Sequence, residues 1–325
     1  MYAISVVVAT YNPNFDKLKL TLISLIKQKE INYEIILTDD GSKNNYFEEV
    51  SKFFKQRNFV NYTFVTSSIN TGTVGNVCRG IEKANGEFIK LISPGDCLYD
   101  TDTLSRWYKF IKERGSILSF SNAIYYELKD NNMKLYRVVN NPANLFIYKN
   151  KIDVKTVKYD YLLNNDLVLG AATIVKKDIF KKYLNLLNGK VKYAEDHVYR
   201  LMIADGIIWS YFDNFSLWYE YGTGISTQGS EKWITLLKKD WHETDKILVD
   251  RLKDSKSKFD RKYVKFLKLY ENKYVLLYLF PSAIILKLLK KIKPHYTCDN
   301  ININYFKWFD VSDQSSPVFS MNQYS

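Results

Sequence analysis

The segment AISVVVAT, residues 3–10, is almost continuously apolar and rich in β-branched side chains. A strand that is covered by helices on both faces has this composition, because neither of its sides meets water. Pro13 follows the strand, and Leu18 and Leu22 then recur at helical spacing. The segment therefore predicts the first strand–helix unit of an α/β fold.

The same alternation continues through the first hundred residues. The predicted elements are a strand at 33–42 (YEIILTDDGS), a helix at about 46–57, a strand at 61–66, a glycine-containing loop at 70–75, a helix at 76–86 and a strand that ends at 92. Such alternation favours a parallel sheet with helices on both faces, and ligands bind these sheets at the carboxyl ends of the strands. The polar groups at those ends are Thr10–Asn12, Asp39–Ser42, the 70–75 loop and Asp96.

The composition of the chain limits the classes of site. With 325 residues, 46% of them hydrophobic, the chain can bury a large core. Its three cysteines lack CxxC spacing and no signal peptide precedes the first strand, so we expect reduced thiols and a cytoplasmic protein. Its three histidines are scattered, so a metal would need oxygen ligands.

The positive charge is concentrated near the end of the chain. The net charge is +12, and residues 231–293 hold 17 Lys/Arg against 8 Asp/Glu. This surplus suggests an anionic partner, either membrane lipid or nucleic acid. The uncharged run 274–286 is too short for a transmembrane helix, which needs about 20 residues. We expect helices at 229–298 that either contact an anionic membrane at the inner face of the cell membrane or pack on protein, and a polar tail at 299–325.

Two common nucleotide-binding motifs are missing from the sequence. The first strand leads into ATYNPN, without G-x-G-x-x-G, and no G-x-x-x-x-G-K-[ST] occurs. The predicted edge offers carboxylates instead, which hold hydroxyls, a base N–H, or a divalent cation that in turn holds phosphate. That chemistry fits a nucleotide-sugar with its metal and gives no reason to expect a nucleic acid.

Six segments in order resemble family 2 glycosyltransferases with the GT-A fold. They are ISVVVATYN, EIILTDDGS, NTGTVGN, ANGEFIKLISPGD, YAEDHVYRLM and WYEYGTGIST, spread over about residues 3–228. The resemblance implies a Rossmann-like mixed sheet flanked by helices in residues 1–228, followed by the helical extension. It also implies an inverting enzyme that uses a nucleotide-sugar.

Donor-binding positions follow from the resemblance residue by residue. They are Thr10, Tyr11, Asn12, Asp39, Asp40, Asn70, Gly72, Arg79, Ser93, Asp96, Tyr221, Gly222, Gly224 and Ser226. At least one of Asp39 and Asp40 would contact the base; the alternative is that they cap the following helix. Arg79 is equally compatible with a surface cation. The segment at 218–229 would fold over the diphosphate, or would be a flexible linker.

Asp96 would ligate Mn²⁺ or Mg²⁺ between the two phosphates. Members of the family commonly carry D-x-D-D where this chain reads Ser93-Pro94-Gly95-Asp96, so one acid remains. One carboxylate with phosphate oxygens and water can hold Mg²⁺, which normally keeps several waters. Without the nucleotide we expect metal affinity to be poor.

The segment YAEDHVYRLM would supply the catalytic base. The resemblance favours Asp196, with Glu195 as the alternative, to remove the proton of an acceptor hydroxyl. Helix-terminal acids also have a purely structural explanation in the helix dipole. His197 is expected to pack rather than to react.

The resemblance thus implies an inverting glycosyltransferase that moves a sugar from a donor expected to be UDP-linked to a glycan or lipid-linked saccharide in capsule or O-antigen synthesis. Its partners would be the nucleotide-sugar, the acceptor and an anionic membrane surface, with an oligomer left open. A sugar nucleotidyltransferase and a non-catalytic glycan-binding relative are the alternatives.

Overall fold

The computed structural model describes residues 1–129, 132–135, 138–139, 142–149, 153–222, 224–225, 229–269, 278–281, 288 and 296–297. The strands are β1 (Tyr2–Thr10), β2 (Tyr33–Asp39), β3 (Tyr62–Thr66), β4 (Gly86–Ile92), β5 (Cys97–Leu98), β6 (Leu118–Lys129), β7 (Asn132–Leu135), β8 (Val138–Val139), β9 (Thr173–Lys176), β10 (Ser210–Glu220) and β11 (Tyr296–Thr297). The α-helices are α1 (Phe15–Ile26), α2 (Phe47–Gln56), α3 (Gly72–Glu82), α4 (Thr103–Arg114), α5 (Phe146–Lys149), α6 (Val154–Lys158), α7 (Lys177–Leu187), α8 (Val198–Ala204), α9 (Glu231–Leu252) and α10 (Lys258–Leu269). A π-helical turn at Tyr159–Leu163 and 3₁₀ turns at Gly170–Ala172 and Glu195–His197 complete these elements.

The first half of the sheet is parallel. β1 pairs in parallel with β2 on one side and with β4 on the other, and β3 extends the sheet beyond β2. Thr10 lies opposite Asp39, and Val8 lies opposite Ile92. β1, β2 and β4 therefore end at the same edge of the sheet, which we call the carboxyl edge.

The second half makes the sheet mixed. The strand order is β3-β2-β1-β4-β9-β6-β10-β5, with β7 paired to β6. β9 runs antiparallel to β4, so the turn that precedes it lies at the carboxyl edge. β10 is parallel to β6 and antiparallel to β5, so the end of β10 also reaches this edge, beside the turn after β4.

Apolar side chains cover both faces of the sheet. Val6 and Val8 point to one face and Val7 to the other, as strand alternation requires. One core contains side chains of α1, α2 and α4, and the other contains side chains of α3, α7 and α8. This double coverage explains why the β1 sequence is apolar without interruption.

The helices after the sheet share the second of these cores. Leu248 and Leu252 of α9 and Tyr263 of α10 are buried in the cluster that contains α7 and α8. Among the described residues, no helix combines the length and the apolar character that crossing a bilayer requires. Most of the apolar and basic run 273–293, and all of the tail 299–325, lie outside the described residues.

Candidate active site

Hydrogen bonds join the ends of β1 and β2 at the carboxyl edge. The Asn12 backbone N–H donates to Ser42 Oγ at 2.6 Å, and the Lys43 N–H donates to Asn12 Oδ1 at 3.1 Å. Asp39 is fully buried and accepts from the hydroxyls of Thr10 and Ser42 and from the Ser42 N–H. Asp39 is thus bonded both to hydroxyl groups, which can rotate, and to one backbone N–H at 2.9 Å.

Asp40 instead holds the next loop in place. Its carboxylate accepts from the N–H of Thr71 at 3.0 Å and of Gly72 at 2.7 Å, and pairs with Arg79 at 2.5 Å. These hydrogen bonds lower the pKa of Asp40, against the opposing effect of its burial. Arg79 is therefore a partner of Asp40 rather than a free surface cation.

These contacts also correct the predicted start of α3. The helix begins at Gly72, inside the segment predicted as a loop at 70–75. Asp40 satisfies N–H groups at its start, which have no partner within a helix, and its negative charge suits the positive end of the helix dipole. An acid 31 residues upstream supplies this cap, so local sequence could not indicate it.

The remaining predicted residues of this region line its surface. Tyr11 is 53% exposed, and Asn70 is also exposed and accepts from the Gly72 N–H through its side-chain oxygen. Ser93 is exposed at the neighbouring turn. The structure thus gathers these side chains at the carboxyl edge, around the buried Asp39 and Asp40.

Gly72 also contacts the segment that carries the predicted base. Its φ is +85°, and a Cβ there would clash with the backbone and side chain of Lys192. The N–H of Val74 donates to the Lys192 carbonyl at 3.1 Å. The start of α3 and the segment before Glu195 are therefore packed directly together.

Replacing Gly72 with Ala is expected to lower the free energy of unfolding by about 2 kcal/mol or more, through left-handed strain and the Lys192 clash. Gly189→Ala is the matched control, because Gly189 has φ +79° but open space around a Cβ. Strain alone should cost the control about 1 kcal/mol. Urea unfolding measures both values, and equal losses would contradict the contact.

Asp96 occupies the turn after β4 and is 4% exposed. Its Oδ1 accepts from the Glu220 N–H at 3.0 Å, and its own N–H donates to the Ser93 carbonyl. Burial, and to a smaller extent the charge of the Glu220 carboxylate, raise the pKa of Asp96 to about 7, against the lowering effects of the Glu220 N–H and the Lys90 ammonium. Burial lowers the pKa of Lys90 to about 7.

Glu220, at the end of β10, is an acid that the sequence did not single out. Its Oε1 pairs with Lys17 of α1 at 2.6 Å, and a Cβ on Gly95 would clash with its Oε2. Gly95 has φ +102°, so the turn requires glycine both for its backbone and for Glu220. The sequence signal was available, since Glu220 interrupts an aromatic strand end directly before the glycine-rich loop.

The acids of this turn can supply only part of the ligand set of a divalent cation. Asp96 and Glu220 offer hard oxygen ligands, which suit Mg²⁺ or Mn²⁺. In the described part of the chain, however, no three acidic, histidine or cysteine side chains are arranged to enclose a metal. The donor set fits a cation whose remaining ligands are phosphate and water.

Glu195 and Asp196 form a 3₁₀ turn that leads into α8, close to the predicted helical first turn. Both side chains are partly exposed. A Cβ built on Gly170 would lie 3.3 Å from the Asp196 Cβ. The Lys90 ammonium donates to the carbonyl of Ala171, in the same turn as Gly170, so Asp196 and the strand that precedes Asp96 lie on either side of this turn.

Burial raises the pKa of both acids of this pair. The pKa of Glu195 rises to about 8, first by burial and then by the charges of Asp196 and Asp240. Burial also raises the pKa of Asp196, although Arg200 and backbone N–H groups oppose the shift. A carboxylate with a raised pKa is a stronger base than an ordinary one.

The pKa of Glu195 implies that stability decreases as pH rises. The folded protein keeps this proton to about pH 8, whereas the unfolded chain releases it near 4.5, so stability is lost between these values. The limit for one group is about 1.4 kcal/mol per pH unit, and partial exposure makes the slope smaller. Urea unfolding from about pH 5 to 8 should show a steeper decline for wild type than for Glu195→Gln. Equal slopes would contradict the shift.

His197 is a packing residue, in agreement with the prediction. It is buried, its Nδ1 is 2.8 Å from Thr244 Oγ1 of α9, and its ring meets Trp241 edge-on. Burial lowers its pKa to about 3, so the ring is neutral. The buried, neutral ring is therefore occupied by contacts with α9.

The glycine-rich loop begins directly after Glu220. The Tyr221 N–H donates to the Tyr126 carbonyl at 2.7 Å, and Gly222 is exposed with φ +89°. Gly224 is partly exposed, and Ser226 lies outside the described residues. The loop thus starts beside the Asp96 turn.

Solved glycosyltransferases share this fold. TarS from S. aureus in complex with UDP has a TM-score of 0.55 and 17% identity, over 85% of this chain and 74% of that one. The mannosyltransferase PcManGT from Pyrobaculum calidifontis, in complex with GDP-Man and Mn²⁺, has a TM-score of 0.53 and 12% identity, over 90% and 76%. At such identities the likeness establishes the fold, which is the GT-A fold that the sequence predicts.

Sequence comparison gives the family. The model of glycosyl transferase family 2 matches residues 5–184, more than half of the chain, and the chain belongs to this family. A relative from Bacillus spizizenii, a poly(ribitol-phosphate) β-glucosyltransferase, is 26% identical over 202 residues, 61% of this chain and 29% of its own length. The matches span 29 to 59% of the length of the curated relatives.

Proposed function

We propose that this chain is an inverting glycosyltransferase that moves a sugar from a UDP-linked donor to a hydroxyl of a glycan or lipid-linked saccharide during surface-polysaccharide synthesis. The observation that carries the proposal is the family match over residues 5–184. The polysaccharide role is supported by the relative named as a poly(ribitol-phosphate) glucosyltransferase. The UDP donor is supported by TarS, which was solved with UDP and with UDP-GlcNAc.

Asp39 is the better of the two acids for the base of the nucleotide. Apart from the Ser42 N–H, its partners are hydroxyls, and these can turn to donate elsewhere when a base N–H arrives. Asp40 holds two backbone N–H groups and Arg79, whose directions are fixed. In this proposal Asp40 shapes the loop, and Asp39 reads the base beside Thr10.

Asp196 acts as the general base. Its carboxylate accepts the proton of the acceptor hydroxyl while that oxygen bonds to the anomeric carbon of the donor sugar. The bond from that carbon to the diphosphate oxygen breaks, and its electron pair leaves with the nucleoside diphosphate. A single displacement from the opposite face inverts the anomeric configuration. The raised pKa of Asp196 supports this role.

Asp96 would hold Mn²⁺ or Mg²⁺, and Glu220 lies beside it. Such a cation stabilises negative charge on a leaving diphosphate. Lys17, paired with Glu220, brings a protein cation to the same turn. The loop with Tyr221, Gly222, Gly224 and Ser226 would close over the diphosphate and exclude water that would otherwise hydrolyse the donor.

Release of nucleoside diphosphate from a panel of nucleotide-sugars tests the function. We expect release from a UDP-sugar that requires Mn²⁺ or Mg²⁺ and rises when a polyol-phosphate or saccharide acceptor is added. Thermal shift on the same panel identifies the donor, because a ligand of the folded state raises the melting temperature. Consumption of a nucleoside triphosphate and a sugar phosphate would favour a nucleotidyltransferase instead.

A peripheral contact with an anionic membrane, at its cytoplasmic face, is part of the proposal. Exposed cations lie along α10 at Lys258, Arg261, Lys265 and Lys268. Each cation near such a surface adds about 1 kcal/mol of attraction. We expect the intact protein to float with vesicles rich in phosphatidylglycerol at low salt. It should not float with neutral vesicles. No difference between the two would contradict the contact.

A further inference from the structure

Helix α9 contacts the backbone directly before the candidate base. The Asp240 carboxylate accepts from the N–H of Lys192 at 3.0 Å, of Tyr193 at 2.6 Å and of Ala194 at 3.1 Å. Its side chain is almost completely buried, at 4% exposure. One carboxylate of α9 thus binds three consecutive N–H groups that end at the residue before Glu195.

These N–H groups have few other ways to be satisfied. Residues 191–194 belong to no helix or strand, and a buried N–H without a partner is costly. Hydrogen bonds to a charged acceptor are stronger than those between neutral groups. Asp240 therefore fixes the course of a segment that its own local structure does not fix.

The same segment is held from its other side by α3. The Lys192 carbonyl accepts from the Val74 N–H at 3.1 Å, next to the close approach of Gly72. The Gly72 N–H at the start of α3 donates to the Asp40 carboxylate. A series of hydrogen bonds therefore leads from the proposed nucleotide-binding end of β2, through the start of α3 and Lys192, to Asp240. Glu195 and Asp196 follow at once in the chain.

A second contact of α9 lies just beyond the acids. Thr244, one helical turn after Asp240, meets the ring of His197 at 2.8 Å. Asp245 pairs at 2.6 Å with Arg200, which is also buried. Residues on one face of α9 therefore contact the chain both directly before and directly after Glu195 and Asp196.

We propose that Asp240 is a positioning residue that sets the place of the Asp196 carboxylate by fixing the backbone of residues 192–194. This inference rests on the proposed function, because it assigns a role relative to the base of that reaction. It makes helix α9 part of the catalytic apparatus, although α9 lies outside the six motifs and outside the matched residues 5–184. Asp240 itself touches neither substrate nor reacting atoms in this proposal.

Graded substitution of Asp240 tests the role. Asp240→Asn keeps an oxygen that can accept two of the three N–H groups, and Asp240→Ala removes all three acceptors. We expect kcat to fall by about 10-fold in D240N and on the order of 100-fold in D240A, since a small misplacement of a catalytic group has such effects. The KM for the donor should change much less than kcat, because Asp40 also holds the start of α3, independently of residues 192–194. A general loss of stability would not produce this split at temperatures well below melting.

Asp250→Asn on the same helix is the matched control. Asp250 is largely exposed and pairs with Lys253 at 3.7 Å, so its loss should leave kcat and KM unchanged. Hydrogen exchange gives a readout that does not depend on activity. Amides 192–194 should exchange faster in D240A, while amides of β1 should keep their protection.

Either of two results would overturn the inference: unchanged exchange at 192–194 in D240A, or wild-type kcat in D240N. The proposed function fails differently, by an absence of transfer in wild-type protein and in D250N with every donor. Exchange at 192–194 would then still decide whether Asp240 fixes the segment. Faster exchange together with the graded fall in kcat supports the inference.

Discussion

Asp196→Asn is expected to lower kcat by about 100- to 10,000-fold, the usual contribution of a general base. Asn keeps the shape of the side chain but cannot accept the proton of an acceptor hydroxyl. The pKa of Asp196 is raised by burial, so the fold disfavours its charged form. The neutral substitute should therefore melt no lower than wild type, and loss of activity would not reflect loss of the fold.

Steady-state release of nucleoside diphosphate in the presence of acceptor measures this effect. Asp178→Asn is a suitable control, because Asp178 is an exposed acid in the first turn of α7. Near wild-type turnover of D196N would show that another group is the base. Glu195→Gln would then decide whether that group is Glu195, its neighbour in the same turn.

The Asp96→Asn substitution is expected to reduce turnover by at least about 100-fold and to abolish its dependence on Mn²⁺ or Mg²⁺. The Asn oxygen can still accept from the Glu220 N–H, which keeps the turn intact. The negative charge that would hold a cation is lost, however. Stabilisation of charge by a metal is worth several kcal/mol, and each 1.4 kcal/mol is tenfold in rate.

Titration of activity with Mn²⁺ measures the second effect. Asp16→Asn removes an exposed acid at the start of α1, next to Lys17, and serves as the control for charge. It should retain the turnover and metal response of wild type. A D96N enzyme with an unchanged metal requirement would exclude Asp96 as the ligand and direct attention to Glu220.

Much of the fold could be predicted because its signals are local. The apolar run of β1 and the helical spacing in α1 lie within a few residues of one another, and both elements are present at the predicted positions. Helices were likewise expected at 229–298, and α9 lies there at Glu231–Leu252. Periodicity is set by which side of an element meets the core, and the sequence records that directly.

The site was harder to predict, because its hydrogen-bond partners are distant in the chain. Asp40 was expected at the nucleotide or at the cap of the next helix, and its carboxylate accepts from N–H groups at the start of α3, more than 30 residues further on. Glu220 and Asp240 were not singled out. No pattern near Asp240 distinguishes it from the other charged residues of an amphipathic helix.

The sequence alone determined that strands and helices alternate, that acids follow the strands and that the chain resembles family 2 glycosyltransferases. Only the tertiary structure decided which acids face each other, which carboxylates are already satisfied and that α9 holds the segment before Asp196. The physical reason is the distance along the chain over which each effect acts. Burial and periodicity act on neighbours in the chain, whereas a carboxylate is positioned by whichever donors the folded chain brings within 3 Å, roughly one hydrogen bond away.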